Sequence, residues 1–197
     1  ELVEHVYDVT WGSIRPGLDN LVIVDDSIVR GTTLKRSILR MLDRLHPKKI
    51  IIVSSAPQIR FPDCYGIDMA KLSDLVAFRA CVSLLKETLN ESILEGVYEK
   101  AKAENLKPTG QITNVVQELY KPFSADQISK EIARILRPDD LKSELQIVYQ
   151  SIENLHAACP NHLGDWYFTG NYPTSGGNRV ANRSLINFMQ GKNVRAY

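Results

Sequence analysis

The 197-residue sequence has few cysteines, no long apolar run and almost no net charge, and each shortage excludes a class of protein. Cys64, Cys81 and Cys159 are odd in number and widely spaced, so we expect no disulfide framework and favour a reducing cytoplasm. No apolar run approaches the roughly 18 residues of a membrane span, so no membrane partner is expected. The 24 Lys and Arg against 23 Asp and Glu give a net charge of +1, which provides no general attraction to nucleic acid.

Two short β-branched runs predict a parallel sheet near the start of the chain. Residues 21–24 and 50–53 show no polar alternation, which is typical of strands buried on both faces. Between them, apolar residues at helical spacing predict a helix over 34–45, with Thr32 or Thr33 as its N-cap. The segment 21–55 is therefore predicted to be a right-handed strand–helix–strand crossover, the unit of an α/β fold.

Farther along the chain the patterns predict mostly helices. The predicted elements are helices over 72–79, 82–105, 125–137 and 151–156 and a strand over 145–149. The tail from residue 160 is rich in Gly, Asn and aromatic residues, so we expect loop structure until a last helix near 184–190. Within that tail, the sequence Gly-Gly-Asn at 176–178 is a turn signal.

The loop after the first predicted strand combines acids with an anion-binding turn. Asp25 and Asp26 stand at the carboxyl end of the strand, where open α/β sheets bind their ligands. The sequence Gly-Thr-Thr at 31–33 leads into a helix, so free backbone N–H groups, a positive dipole end and two hydroxyls suit a phosphate. Carboxylates beside such a turn repel a bare phosphate but can accept hydrogen bonds from sugar hydroxyls or hold Mg²⁺. The loop therefore predicts a site for a phosphorylated sugar.

The simplest alternative is that Asp25 and Asp26 only cap the turn that follows them. For an isolated Asp-Asp pair that interpretation is the better one, whereas the complete string over 22–33 favours a ligand site. The string lacks the Gly-Lys-Ser/Thr ending of a Walker loop and the Gly-x-Gly-x-x-Gly of a dinucleotide site, so both of those sites are excluded.

Residues 22–33, Val-Ile-Val-Asp-Asp-Ser-Ile-Val-Arg-Gly-Thr-Thr, resemble the phosphoribosyl-pyrophosphate (PRPP) signature of type I phosphoribosyltransferases. The form Asp-Asp-Ser-Ile-Val-Arg-Gly-Thr-Thr is similar to that of the amidophosphoribosyltransferase family. Residues 55–68 and the sequence Phe-Thr-Gly-Asn-Tyr-Pro-Thr at 168–174 resemble two further blocks of that family. The resemblance covers about 20–80 well and 125–174 in patches.

The resemblance implies a type I phosphoribosyltransferase-like parallel sheet flanked by helices, with PRPP as substrate and Mg²⁺ as cofactor. Asp25 and Asp26 would bind the ribose 2- and 3-hydroxyls and lie near Mg²⁺. The residues implied for the 5-phosphate are Ser27, Ile28, Val29, Arg30, Gly31, Thr32 and Thr33. Ammonia would displace pyrophosphate to give 5-phosphoribosylamine, which requires charge stabilisation rather than a general base, so no catalytic residue is assigned.

Compared with that family, the sequence is expected to be a C-terminal portion, truncated on the N-terminal side of its sheet. It lacks the glutaminase part that releases ammonia, so we expect the isolated chain to be inactive and its parent to be a homo-oligomer. The predicted segments are the core with the PRPP loop at 1–80, a helical insertion at 81–124, the remaining core at 125–160 and a loop-rich tail at 161–197. A non-catalytic PRPP-sensing protein and a base-salvage phosphoribosyltransferase remain as alternatives.

Two smaller sets of residues carry open alternatives. Arg60 and Asp68 could border the site, although Arg60 could equally pair with Asp63 or Asp68. Some family members hold an iron–sulfur cluster, but only one thiolate is present here in the corresponding stretch, so no cluster is expected. Three side chains there have ligand-like spacing and could form a zinc site, whereas ordinary packing is favoured; they are His156, Cys159 and His162.

Overall fold

The structure is a computed structural model that describes residues 12–64, 69–162 and 164–197. Its centre is a three-stranded parallel sheet in the order β1-β2-β3, formed by β1 (Asn20–Asp25), β2 (Lys49–Ser54) and β3 (Glu144–Tyr149). Asp25, Ser54 and Tyr149 are in register across the three strands, so they share one face at the carboxyl edge. The predicted α/β fold with a parallel sheet is confirmed.

Helices account for most of the remaining described residues. They are a π-helical turn (Leu34–Ile38) that continues into α1 (Leu39–Asp43), 3₁₀ turns at Leu72–Asp74 and Val115–Tyr120, α2 (Val76–Glu87), α3 (Glu91–Asn105), α4 (Ala125–Leu136), α5 (Ile152–Ala158), α6 (Trp166–Thr169) and α7 (Ser175–Met189). Helix α4 begins with a capping box, in which the side chains of Ser124 and Gln127 each bond the other residue's backbone N–H. Among the described helices, none is both long enough and apolar enough to cross a bilayer.

Among the described residues, one face of the sheet is packed and the other is largely exposed. Ile50 and Ile52 are completely buried on the face that meets the hydrophobic core. On the opposite face Val22 is 55% exposed, Val24 is 73% exposed and Val148 is 39% exposed. The prediction that the first strand is buried on both faces is therefore wrong within the described residues. Each strand of this sheet lies next to the preceding one, always on the same side. Right-handed crossovers between strands in this order place their helices on one face of the sheet, which leaves the other face open.

Three predicted helices have clearly different bounds in the structure. The predicted helix over 72–79 is a 3₁₀ turn at Leu72–Asp74 followed by α2, which runs without a break past residues 80 and 81 to Glu87. The predicted helix over 82–105 is interrupted between α2 and α3, where Leu89 has φ +57° and is 91% exposed. The last helix begins at Ser175 rather than near residue 184. Gly177 is in its first turn because Thr174 caps the helix, and a Cβ at Gly177 would lie 2.5 Å from the Tyr172 ring. This glycine therefore permits close packing instead of forming a turn. The division into four segments, including an insertion at 81–124, stays a prediction.

Asn182 on α7 connects the loop over 113–115 to the core by hydrogen bonds. This side chain is completely buried, and its Oδ1 accepts a hydrogen bond from Val115 N (3.1 Å) while its Nδ2 donates to Thr113 O (2.8 Å). We expect Asn182→Ala to lower the free energy of unfolding by roughly 2 to 4 kcal/mol, because it leaves two backbone groups unpaired. Urea unfolding measures this loss. Asn178→Ala is the control: Asn178 makes one such bond, to Ile112 O (2.9 Å), so an equal loss in both variants would contradict the assignment.

Candidate functional site

The loop after β1 is fixed at its first residues by the neighbouring strand. Ser55 N donates to Asp25 O (2.9 Å) and Ala56 N donates to Asp26 O (3.0 Å), so the pairing of β1 with β2 continues past both strands. The Ser55 hydroxyl lies within hydrogen-bond distance of the same two carbonyl oxygens, at 3.1 and 3.2 Å. Ile28 is 3% exposed and anchors the middle of the loop in the core. The backbone that carries the two acids is therefore held in place before any ligand binds.

Helices α2 and α4 hold the far end of the same loop. Val76 N donates to Val29 O (2.8 Å), and Arg79 Nη2 donates to Arg30 O (2.7 Å). Gly31 has φ +68°, and a Cβ there would lie 2.5 Å from a terminal carbon of Leu136. Leu136 is 2% exposed and cannot move aside without disturbing the core. Position 31 therefore requires glycine for both its backbone angle and the available space.

Between these two anchored ends, the backbone donors are unused. Within the described residues, the N–H groups of Ile28, Val29, Arg30 and Gly31 donate no hydrogen bond. Thr32 and Thr33 already have helical geometry, and neither side chain makes a capping hydrogen bond among the described residues, so the prediction that one of them caps the helix is wrong. The loop encloses a cavity of about 440 Å³. Its lining residues are Asp25, Ser27, Ile28, Val29, Arg30, Gly31, Thr32, Thr33, Leu34 and Ile38. Unpaired N–H groups beside a cavity form a potential anion site.

The two acids differ in their surroundings. Asp25 is half-buried and lines the cavity, whereas Asp26 is exposed and does not line it. Asp25 Oδ1 accepts from Asp26 N (3.0 Å) and Asp26 Oδ1 accepts from Ser27 N (2.6 Å), as the simple capping interpretation requires. However, neither carboxylate forms a salt bridge with a described residue. Burial raises the pKa of Asp25, and the hydrogen bond from the Asp26 amide opposes that shift.

Tyr149 is a neighbour of Asp25 that sequence reasoning missed. Burial raises the pKa of the Tyr149 phenol, and the nearby charge of Asp25 adds to that rise. The Tyr149 hydroxyl is buried and has no hydrogen-bond partner among the described residues. In the sequence, only the correct pairing register of β3 with β2 could have placed Tyr149 beside Ser54 and Asp25.

Arg60 lies outside the cavity of the loop. Its Nε and Nη2 atoms donate to Gln58 Oε1 (3.1 and 2.7 Å), and its guanidinium lies over the Tyr120 ring, 5.2 Å from the centroid. No salt bridge joins Arg60 to Asp63, whereas the alternative pairing of Arg60 with Asp68 stays a prediction. Asp68, the other residue predicted to border the site, lies outside the described residues.

The His156, Cys159 and His162 stretch does not assemble into a metal centre. His156 Nε2 lies 3.1 Å from Asp165 Oδ2, and both Cys159 and His162 are exposed. No group of three or more His, Cys, Asp or Glu side chains in the described ranges is placed to hold a metal ion. The zinc alternative therefore has no geometric support.

Comparison with known proteins finds similarity to amidophosphoribosyltransferases. No protein-family model matches the chain. The chain is similar to amidophosphoribosyltransferase of Escherichia coli, with 33% identity over 141 residues, which covers 69% of this chain and 27% of the relative. The corresponding enzyme of Haemophilus influenzae is 44% identical over 70 residues (36% of this chain, 14% of the relative). That of Schizosaccharomyces pombe is 49% identical over 59 residues (30% and 11%). The chain therefore spans about a quarter or less of these curated relatives.

The fit of Gly31 against Leu136 can be tested by substitution. We expect Gly31→Ala to lower the free energy of unfolding by about 1 to 3 kcal/mol more than Gly17→Ala, because only the former forces a methyl group into packed atoms. Gly17 is a matched control, since its φ of +71° is similar but a Cβ there would meet nothing within 4 Å. Thermal or urea unfolding measures both variants. Equal losses would show that Leu136 does not restrict position 31.

Asp25 is expected to reduce stability when it is ionised. Its pKa is raised by burial in the folded chain, so its charge costs stability once the pH exceeds that pKa. Asp25→Asn should therefore raise the free energy of unfolding at pH 7. The gain should shrink as the pH falls through the folded pKa and should vanish below the pKa of the unfolded chain.

Unfolding curves at several pH values test this dependence on Asp25. Asp140→Asn is the control, because Asp140 is exposed and faces Arg40 at 3.1 Å. A loss of stability in Asp25→Asn at pH 7 would contradict the expectation.

Proposed function

We propose that this chain, a relative of the amidophosphoribosyltransferases, is the carboxyl-terminal portion of such an enzyme. The complete enzyme would be a glycosyltransferase of the cytoplasm that converts PRPP, glutamine and water into 5-phosphoribosylamine, pyrophosphate and glutamate. This reaction is the first step of de novo purine biosynthesis. The observation that carries the proposal is the loop after β1. Both of its ends are held by hydrogen bonds, and the four N–H groups of residues 28–31 lie unpaired beside a cavity.

The 5-phosphate of PRPP fits this loop. A phosphate group is bound by several hydrogen-bond donors that point at one position. The backbone N–H groups just before a helix supply such donors. Arg30 adds a cation at the same loop, although its Nη2 also lies 3.2 Å from Asp74 Oδ2. The Thr33 hydroxyl makes no capping hydrogen bond, so it is available as a further donor. We therefore assign residues 27–33 to the phosphate.

The two acids complement the sugar. Asp25 and Asp26 each use one carboxylate oxygen for a local hydrogen bond, which leaves the other oxygen available for the ribose hydroxyls. The same carboxylates lack a cationic partner among the described side chains, so they also fit Mg²⁺. When bound, Mg²⁺ would neutralise charge on the departing pyrophosphate. In this assignment the protein's own acids fix the ring and favour positive charge at the reacting sugar carbon.

The proposed reaction forms one bond and breaks one bond. The nitrogen of ammonia bonds to the anomeric carbon as the bond from that carbon to the pyrophosphate oxygen breaks, and the excess proton leaves the nitrogen for solvent. The contribution of this chain is to hold the phosphate and the ring hydroxyls, so that the anomeric carbon is presented in one orientation. None of the described residues is assigned as a general base.

An incomplete sheet supports the proposal that further protein belongs with this chain. The face that carries Val22 and Val24 is apolar and exposed, and the outer edge of β1 pairs with no described strand. Exposed apolar strands and open edges are normally covered in folded proteins. We propose that another part of the same protein, including the glutaminase portion, covers this region in a homo-oligomeric enzyme. The isolated chain would then bind PRPP but would not catalyse its conversion.

Calorimetric titration of the 197-residue chain with PRPP and Mg²⁺ tests this function. We expect saturable binding, and we expect the double variant Asp25→Asn, Asp26→Asn to bind at least about tenfold more weakly, since each lost charge-assisted hydrogen bond contributes about 1.5–3 kcal/mol. Asp140→Asn should bind like the unaltered chain. Failure to bind PRPP, or equal binding by the double variant, would contradict the proposal.

An activity assay separates catalysis from binding. We expect no pyrophosphate release when the isolated chain is mixed with PRPP, Mg²⁺ and ammonia. Release above the uncatalysed rate would show that the chain is catalytically complete. A non-catalytic PRPP sensor would instead remain inactive even when its complete parent protein is assayed with glutamine.

A further inference from the structure

A second cavity lies at the same edge of the sheet and does not include the phosphate-binding loop. It has a volume of about 480 Å³ and lies between the segments that follow β2 and β3 and the beginning of α4. The lining residues that matter here are Gln58, Arg60, Phe123, Ser129, Tyr149 and Gln150. Nothing in the proposed binding of PRPP uses this cavity, and its existence does not depend on that proposal.

Arg60 gives the cavity a positive charge that no described acid neutralises. The Arg60 side chain is half-buried, and this burial lowers the pKa of its guanidinium, although arginine remains protonated at neutral pH. No carboxylate of a described residue lies within salt-bridge distance of Arg60. Nη1 makes no hydrogen bond in the described part of the chain, whereas Nε and Nη2 both bond Gln58. A partly buried cation without a counter-ion has lost some of its hydration, and the negative charge of a ligand can offset that loss.

Neighbouring residues hold this guanidinium in one orientation. Gln58 is 3% exposed, and its Nε2 donates to both Ala125 O and Ser129 Oγ at 2.8 Å. These bonds fix the amide so that its Oε1 faces Arg60, while the Tyr120 ring packs against the guanidinium plane. Arginine positioned in this way can bind a planar or tetrahedral oxyanion with little loss of side-chain entropy.

The other charges near the cavity do not cancel Arg60. Asp126 is 70% exposed and forms an ion pair with Lys130 at 2.7 Å. Glu153 lines the cavity but is exposed, so water screens its charge. Tyr149 contributes a buried hydroxyl without a described partner, which can donate to an anion. Asp25 lies outside this cavity, although its charge reaches Tyr149. The described lining therefore combines one fixed cation with an unused hydroxyl donor.

The geometry points to a second binding site, in which Arg60 anchors the carboxylate or phosphate group of a small ligand in the cavity between the ends of β2 and β3. Gln58 acts as a positioning residue for Arg60, and Phe123 provides an apolar wall. This site is separate from the loop that is assigned to the 5-phosphate of PRPP.

NMR titration of the ¹⁵N-labelled 197-residue chain with inorganic phosphate tests this site. Sodium chloride at matched ionic strength serves as the blank. We expect a saturable shift of the Arg60 Nε–Hε signal and of the Gln58 side-chain amide, which chloride does not reproduce. The exposed Arg44 signal is the internal reference and should not shift in a saturable manner.

Variants distinguish a binding role from a purely structural one. Phosphate binding by each variant is measured from the shift of the Gln58 side-chain amide signal. Arg60→Met should weaken phosphate binding at least tenfold, whereas Arg60→Lys should retain part of the affinity because it keeps the charge. Arg44→Met should leave the affinity unchanged. If the Gln58 shift is absent in the unaltered chain, or persists in Arg60→Met, Arg60 is only a structural support and the proposal is wrong.

The same spectra separate this site from the PRPP loop. Shifts of the backbone amides of Ile28–Gly31 report phosphate in the loop, whereas shifts at Arg60 and Gln58 report the second cavity. Loss of the loop response with a normal Arg60 response would contradict the proposed function alone. The reverse result would overturn only the second site.

Discussion

The candidate site depends on a loop that is held at both ends and left unpaired in the middle. Backbone bonds from Ser55 and Ala56 fix the carbonyl groups of Asp25 and Asp26, and bonds from α2 fix those of Val29 and Arg30. These contacts use carbonyl oxygens, and no described acceptor bonds the N–H groups of residues 28–31, so those N–H groups remain free to donate. Backbone N–H groups in a folded protein bond either protein or water, so four consecutive N–H groups without a described protein partner are available to a ligand.

Side-chain packing against α4 also supports the position of this loop. Gly31 lies directly against Leu136 at the end of α4, so the loop can reach its position only with a residue that lacks a side chain. Helix α4 in turn borders the second cavity through Ser129, which bonds Gln58. The two cavities therefore share one structural support, although they use different donors. Both candidate sites therefore lie at the carboxyl edge of the sheet, where open α/β folds usually bind their ligands.

Much of the fold follows from local sequence patterns. The β-branched runs at 21–24 and 50–53 and the alternating segment at 145–149 are all strands, each extended by one or two residues, because both patterns are typical of strands. The break at Leu89 could not be predicted, since apolar helical spacing continues across it and the positive φ has no sequence signal there. The exposed face of β1 could not be predicted from the composition of the strand, because burial depends on which elements cover the sheet.

The site was predictable where its residues are consecutive and unpredictable where they are distant. Eight of the nine residues predicted to bind PRPP in the loop line one cavity, because a short loop between a strand and a helix keeps them together. Tyr149 and the pairing of Arg60 with Gln58 depend on strand register and on contacts with α4, which no local pattern reveals.

The most direct measurement is a crystal structure of the 197-residue chain with ribose 5-phosphate. Our interpretation predicts phosphate oxygens within about 3 Å of the backbone nitrogens between residues 28 and 31, with the ring hydroxyls against Asp25 and Asp26. An empty loop at saturating ligand, or a phosphate bound elsewhere while those N–H groups bond protein carbonyls, would contradict it.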